Sequence, residues 1–243
     1  MLRITAALIF LFCTATSYAQ EDLVKEIKNL QLDRFYDEAC LDFVRERDLA
    51  FGDKKVQQII IVRHGEPAMD KKGWRDRDGA IRYTEMYDSV GVYPFDDKPL
   101  CLRDNDVDTA FTSCLPRAMD TAEKTLGEEF PKQHLELFNE FERQIIKFPN
   151  WNLPMKFWSI TTRVVWMMGF NHSQVESFGE AKKRARDAAD FLDEVAQEKG
   201  KALLFSHGFL NRYIKRYLKK NGYKAVDLDG QKYLGAYYFY KIN

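Results

Sequence analysis

Two histidines and two arginines stand where hydrophobic runs of the sequence end. Arg63 and His64 directly follow VQQIIIV. His207 follows KALLFS, and Arg117 lies just beyond DTAFT. A planar guanidinium can bind two phosphate oxygens at once, and two arginines can neutralise a phosphate dianion. A neutral imidazole nitrogen is a competent nucleophile near neutral pH. These residue types together predict a site for chemistry on a phosphate group.

Each of the two histidines is followed by a glycine, Gly65 or Gly208. Glycine lets the backbone approach an anion closely. The helices predicted to begin at Leu115 and Gly208 add free N–H groups at their amino ends. Metal binding is the competing use of histidine. The neighbouring arginines argue against it, because they would place two permanent positive charges beside a metal cation.

The hydrophobic runs alternate with helical patterns, which predicts an α/β fold. We expect a three-layer sandwich with a mostly parallel central sheet covered by helices on both faces. Ligands bind beyond the carboxyl ends of the strands in such sheets. Strands are predicted at 56–62, 108–112, 134–138, 201–206 and 232–242, and helices at 115–126, 154–170, 178–199 and 208–220.

Three motifs carry a family resemblance: RHGEP, TSCLPRAMDTAEKTL and LLFSHGFLNR. From about Val56 to the carboxyl terminus the chain resembles the histidine phosphatase superfamily. Within this superfamily the chain is more similar to the phosphoglycerate mutase-like branch than to the acid phosphatase branch. The residues that favour the first branch are Glu66-Pro67 and His207-Gly208. Pro67 to Asp70 departs from the corresponding mutase motif, which speaks against mutase activity. A second motif, S-x-x-x-R-A-x-x-T-A, is matched at Ser113, Arg117, Ala118, Thr121 and Ala122.

The resemblance implies a role for each matched residue. His64 attacks phosphorus and becomes a phosphohistidine. Arg63, Arg117 and His207 hold the phosphate oxygens, with Gly208 beside them, and stabilise the transition state. Glu140 protonates the leaving oxygen and then assists the attack of water. No metal and no organic cofactor is implied.

Three glutamates compete for the role of proton donor. Glu136 lies within the predicted strand 134–138, below its carboxyl end, and is expected not to reach the site. Glu140 comes just past that end, and Glu142 points the same way if the chain stays extended. The resemblance favours Glu140, because Asn139-Glu140 matches the pair that carries the donor in the mutases.

The first nineteen residues have the pattern of a secretory signal peptide. A basic start, an apolar run and the small residues of Ser17-Tyr18-Ala19 predict cleavage after Ala19. One alternative is a membrane anchor, but the run is shorter than the roughly 20 residues that span a bilayer. Another is a lipoprotein attached at Cys13, but Phe12 precedes that cysteine where a small residue is expected. We therefore expect an exported protein, periplasmic or extracellular, whose mature chain has no membrane span.

The remaining chain, 20–243, is interpreted as a single domain. A helical extension is expected at 20–50, and segments that cover the site and set specificity at 70–100 and 149–172. The basic residues from Lys182 to Arg186 are interpreted as a solvated helix face. A disulfide among Cys40, Cys101 and Cys114 stays open, since three cysteines cannot all pair internally.

The charge composition limits the classes of molecule that the protein is expected to bind. The 243 residues contain 37 Lys and Arg and 37 Asp and Glu, so the chain lacks the positive charge that nucleic-acid binding needs. The expected ligand is a small phosphate ester or inorganic phosphate. The leading hypothesis is an exported phosphomonoesterase. The alternatives are a phosphotransferase or mutase of the same fold, and a non-catalytic protein that binds phosphorylated ligands. The pattern specifies neither the natural substrate nor the oligomeric state.

Overall fold

The first strand, β1 (Val56–Arg63), lies inside a six-stranded sheet. Its residues Ile59 to Val62 are fully buried, as expected of a β-branched run covered on both faces. The computed structural model describes residues 20–38, 41–45, 48–49, 54–96, 100–102, 106–142, 145, 149–170 and 175–243. The predicted signal peptide and Cys40 lie outside these residues.

Five further strands complete the sheet: β3 (Ala110–Thr112), β4 (Lys132–His134), β6 (Lys201–Ser206), β7 (Lys224–Leu228) and β8 (Ala236–Ile242). Their order is β4-β3-β6-β1-β8-β7. The first four pair in parallel, whereas β8 is antiparallel to both β1 and β7. The mostly parallel sheet is therefore confirmed. Strands β2 (Trp74–Arg75) and β5 (Leu153–Pro154) form a separate pair.

Helices cover both faces of the sheet. Helices α5 (Phe178–Lys199) and α6 (Gly208–Lys220) pack on the face formed by Ile59 and Ile61. Helices α1 (20–36) and α3 (Pro116–Leu126) pack on the opposite face with Ile60 and Val62. This arrangement is the expected three-layer sandwich.

Local signals in the sequence set several helix ends. Ser177 and Glu180 form a reciprocal capping box at the start of α5, and Gly200 ends that helix in the left-handed conformation. Pro116 occupies the first turn of α3, where a missing N–H is harmless. These signals act between near neighbours, and the structure follows them.

Other boundaries differ from the sequence prediction. The third strand ends at His134, and Glu136–Phe138 form a short 3-10 helix where the strand was expected to continue. The last strand begins at Ala236, because the preceding residues turn back from β7. In the amino-terminal extension only 20–36 is helical, and 41–45 is non-helical, with Phe43 and Val44 buried against the sheet.

The segments expected to cover the site build a small cluster of their own. Helix α2 (Arg77–Ser89) and helix α4 (Met155–Met167) bury Tyr83, Met155 and Trp158 between them. The other face of α4 is exposed and apolar, so only one face of this helix is buried in the core. None of the described helices is both long and apolar enough to cross a membrane.

Candidate active site

The parallel strands β4, β3, β6 and β1 are neighbours, so their carboxyl ends meet at one edge of the sheet. Arg63 pairs in register with Ser206, and Thr112 with Phe205. The residues that follow these ends therefore lie together. The rings of His64 and His207 have centroids 5.1 Å apart, and both side chains are buried.

His64 is held by its own loop. Its Nδ1 lies 2.7 Å from the carbonyl oxygen of Gly65. A carbonyl oxygen can only accept, so Nδ1 carries a proton, and in the neutral form of the ring the lone pair is on Nε2. The Gly65 N–H donates to Thr121 Oγ1 at 2.9 Å, which ties the loop to α3. In that neutral form, Nε2 is the ring nitrogen that could act as a nucleophile.

His207 is the residue that caps α6. Its Nε2 lies 2.7 Å from the hydroxyl of Ser113, and that hydroxyl also accepts from the Leu115 N–H at 3.2 Å. Ser113 therefore joins the start of α3 to the second histidine. The sequence matched Ser113 to the family motif but gave no sign of its contact with His207.

Arg63 lies between the turn that carries Gln231 and Tyr233 and the glycine that follows His207. Its guanidinium donates to the Gln231 carbonyl and lies 4.4 Å from the centroid of the Tyr233 ring. A Cβ on Gly208 would lie 3.0 Å from the Arg63 Nε. Gly208 therefore makes room for the guanidinium, which is the close approach that the glycine after His207 permits.

Arg117 is fully buried in the first turns of α3. Its Nη1 donates to the Tyr87 carbonyl at 2.9 Å and to Asp88 Oδ1 at 3.0 Å. Its Nε and Nη2 are buried and have no hydrogen-bond partner among the described residues. Buried donors without partners are unfavourable unless a ligand satisfies them, and a guanidinium suits an anion.

The two candidate proton donors differ in what they contact. Glu140 accepts from the N–H groups of Phe209 and Leu210, at 3.2 and 3.0 Å, at the start of α6. Glu142 accepts from the Glu176 N–H at 3.2 Å, away from that helix. Because His207 caps α6, this geometry places Glu140 nearer the histidines.

The prediction for Glu136 is wrong in its premise. The strand stops at His134, so Glu136 lies past the carboxyl end and not within the strand. It lines the same cavity as Glu140 and Glu142. The apolar residues around it mimic a strand pattern, but the chain turns tightly there.

The cavity has a volume of about 380 Å³. Asp88 connects it to the buried guanidinium of Arg117, since Asp88 lines the cavity and binds Arg117. Acidic side chains dominate the wall. Its lining residues are Asp88, Leu115, Glu136, Asn139, Glu140, Phe141, Glu142, Glu176 and Arg184.

Arg184 holds the segment that carries Glu140. Its Nε and Nη2 each donate to Glu176 at 2.7 Å, and its Nη1 donates to the Leu137 and Asn139 carbonyls. The sequence prediction of a solvated basic face is therefore wrong at this position. The charges of one helix do not reveal which of them faces a loop distant in sequence.

Sequence reasoning also missed Tyr233 and Lys71. The Tyr233 ring lies 5.6 Å from the His64 ring, and the Lys71 ammonium lies 4.3 Å from the Tyr233 centroid. Burial lowers the pKa of Lys71, but hydrogen bonds to Glu66 and Tyr233 outweigh it, so the net shift is upward. No local pattern marks either residue, because the turn between β7 and β8 brings Tyr233 to the site.

The structure partly answers which cysteines form a disulfide. Cys101 is disulfide-bonded, and its partner lies outside the described residues. Cys114 is a free, exposed thiol, so it does not belong to that bridge. Among the described residues, no group of three or more His, Cys, Asp or Glu side chains could hold a metal ion.

Comparison with known families gives a match over most of the chain. The model of the histidine phosphatase superfamily (branch 1) matches residues 59–233. This range contains every residue discussed above as part of the site. No curated protein matched the sequence significantly.

Solved structures with a similar architecture are more distant. A phosphoglycerate mutase from Bacillus anthracis is 16% identical, with 78% of this chain and 89% of that chain covered and a TM-score of 0.46. A phosphoserine phosphatase from Entamoeba histolytica is 18% identical, with 67% and 80% covered and a TM-score of 0.39. A mycobacterial glucosyl-3-phosphoglycerate phosphatase is 16% identical, with 68% and 81% covered and a TM-score of 0.39. The family assignment depends on the family match and not on these likenesses.

Proposed function

The chain belongs to the histidine phosphatase superfamily, and on that premise we propose that it is a phosphomonoesterase that works through a phosphohistidine. One observation carries the proposal. His64 lies on a loop whose Gly65 N–H binds Thr121 of α3, and the same helix carries Arg117, a fully buried guanidinium that has two donors without partners among the described residues. A nucleophile next to unsatisfied cationic donors fits a phosphate that is attacked there, and not merely bound.

The first step transfers the phosphoryl group to His64. The Nε2 lone pair forms a bond to phosphorus, and the bond from phosphorus to the ester oxygen breaks. The leaving oxygen keeps that electron pair and takes a proton from the acid form of Glu140. Nδ1 keeps its proton on the Gly65 carbonyl. Arg63, Arg117 and His207 stabilise the charge on the phosphoryl oxygens.

The second step regenerates the enzyme. Water attacks phosphorus and gives a proton to the Glu140 carboxylate, while the bond between phosphorus and Nε2 breaks. The electron pair returns to His64, and inorganic phosphate leaves. The sum is hydrolysis of the ester to alcohol and phosphate, with no cofactor required. The departure of Pro67 to Asp70 from the mutase motif favours hydrolysis over phosphoryl transfer to a second substrate.

We also propose that the protein is exported. The pattern of residues 1–19 supports this, and so does the disulfide at Cys101, since disulfides persist mainly in oxidising compartments. Expression of the full chain followed by cell fractionation tests this directly. Recovery of uncleaved protein from the cytoplasm would contradict it.

The test of the reaction uses purified 20–243 with p-nitrophenyl phosphate and a chelator. We expect phosphate release and an acid-labile phosphoprotein. His64→Ala should lower kcat by about 10⁵-fold or more and abolish the labelling, because the nucleophile is removed. His134→Ala is the matched control, since His134 is exposed and lies outside the site. Substantial turnover by His64→Ala, or activity that needs an added divalent metal, would overturn the mechanism.

A further inference from the structure

The cavity that Asp88 connects to Arg117 is lined mainly by acidic side chains among the described residues. Five carboxylates line it against one guanidinium, that of Arg184. Both oxygens of Glu176 already bind Arg184. Among the described lining residues, no second cation is present to pair with the other four carboxylates. A phosphate dianion would be repelled by this surface, so the cavity does not suit the phosphate itself.

The contacts of the remaining carboxylates leave their charge largely uncompensated. Among the described residues, the side chains of Glu140 and Glu142 accept only from neutral backbone N–H groups. The Glu136 side chain makes no hydrogen bond or ion pair with another described residue. Only Asp88 has a cationic partner, Arg117, and 43% of the Asp88 side chain is exposed. The wall therefore presents a negative surface to whatever enters.

Arg117 fixes how a substrate must lie relative to this wall. Arg117 is fully buried, and its Nη1 donates to Asp88 in the cavity wall. Its Nε and Nη2 have no hydrogen-bond partner among the described residues. A phosphate held by these donors would lie close to Asp88, the residue through which Arg117 is connected to the cavity. The leaving oxygen must also reach Glu140, which lines the same cavity. The alcohol part of the ester therefore extends along the acidic wall.

We propose that the substrate is a phosphate monoester of a small alcohol that carries an ammonium group, and that Glu136, Glu142 and Asp88 recognise its positive charge. The position of the phosphate in this inference rests on the proposed function. The volume of about 380 Å³ lies near the lower end for ligand pockets, which fits a small alcohol. Alcohols that carry a carboxylate or a second phosphate are disfavoured by the same wall.

The size of the effect follows from the exposure of the carboxylates. Each partly exposed ion pair contributes only about twofold in affinity, because water screens it, so three together give about tenfold. Screening by salt should reduce the preference further, since these charges are not deeply buried.

The test compares two probes of similar shape and different charge, phosphocholine and 3,3-dimethylbutyl phosphate. Their binding to His64→Ala is measured by calorimetry, so that turnover plays no part. We expect phosphocholine to bind about tenfold more tightly at low salt, with the ratio falling as salt rises. The KM ratio of the unmodified enzyme provides the same comparison if His64→Ala does not fold.

Variants locate the source of the preference. Glu136→Gln combined with Glu142→Gln should lower the ratio to about two- or three-fold, leaving Asp88 as the remaining recognition charge. Glu123→Gln, an exposed carboxylate on α3 outside the cavity, should leave the ratio unchanged. Equal binding of the two probes, or a preference that survives the double substitution in full, would overturn the inference. If binding shows the preference but no phosphate ester is hydrolysed, the inference stands and the proposed function fails.

Discussion

The two halves of the site differ in charge and in how they are built. Arg63, His64, Arg117 and His207 follow the ends of parallel strands, and all except Arg63 are fully or almost fully buried. Glu136, Glu140 and Glu142 lie on the irregular segment after β4 and are partly exposed or exposed. The sheet therefore positions the groups that we propose act on the phosphate, while an irregular segment carries the carboxylates that we propose meet the alcohol. Catalytic geometry and selectivity can then change independently in this fold.

The difference also appears in the bonds that hold each half. The cationic half of the site consists of Arg63, His64, Arg117 and His207, and the anionic half of Glu136, Glu140 and Glu142. In the cationic half, strand register alone places Arg63 beside Ser206. On the anionic side, the position of Glu140 depends on Arg184 and on the amino end of α6. We expect the cationic half to resist substitution of its surroundings, and the anionic half to depend on single contacts.

The strongest way to separate the halves is to remove the proton donor. Glu140→Gln should lower kcat for an alkyl phosphate by about 10²–10⁴-fold, because its leaving oxygen needs protonation. Hydrolysis of p-nitrophenyl phosphate should fall much less, since nitrophenolate leaves without a proton. Steady-state rates on both substrates measure the effect. Glu142→Gln is the matched variant, and if it alone shows the selective loss, the donor is Glu142.

A second test concerns the cationic half. Arg117→Lys should lower kcat/KM by about 10²–10³-fold for both kinds of substrate, because an ammonium cannot bind two phosphoryl oxygens as a guanidinium does. Competitive inhibition by inorganic phosphate should weaken in parallel. Arg216→Lys, on the exposed face of α6, is the control and should behave as the unmodified enzyme. Retention of full activity in Arg117→Lys would remove this residue from the phosphate site.

The third test addresses the support of the anionic half. Arg184→Lys should lower kcat for an alkyl phosphate by about tenfold, because Lys cannot bind Glu176 and the Asn139 carbonyl together. The loss on p-nitrophenyl phosphate should be smaller, as for Glu140→Gln. Arg186→Lys on the same helix is the control. An equal loss on both substrates, with a lowered melting temperature, would indicate a purely structural role.

The smallest expected effect uses Cys114 as a reporter of the acidic wall. Burial raises the pKa of the Cys114 thiol, and the negative charge of Glu136 raises it further. A raised pKa means less thiolate at pH 8. Glu136→Gln should lower the pKa and speed alkylation of Cys114 by iodoacetamide about two-fold, since water screens the charge. Mass spectrometry of the alkylated peptide measures the rate, with Glu123→Gln as the control, and an unchanged rate would place Glu136 away from the thiol.

Much of the fold could be predicted because its signals are local. The buried runs of β1 and β6, the capping box at Ser177 and the glycine at 200 all act between residues close in sequence. The segment after His134 could not be predicted in the same way. Its apolar residues fit a strand pattern, but Leu137 and Phe138 pack into the core from a 3-10 turn.

The sequence by itself determined the cationic half of the site, because each of its residues follows directly from the end of a strand or the start of a helix. Only the tertiary structure decided the anionic half. Arg184 meets Asn139 across 45 positions, and Tyr233 meets His64 only through the turn between β7 and β8. Such contacts depend on how elements distant in sequence pack together. The charge of the cavity likewise depends on side chains from several elements. It cannot be predicted from a local pattern, because hydrophobic periodicity indicates which face of an element is buried but not which element it packs against.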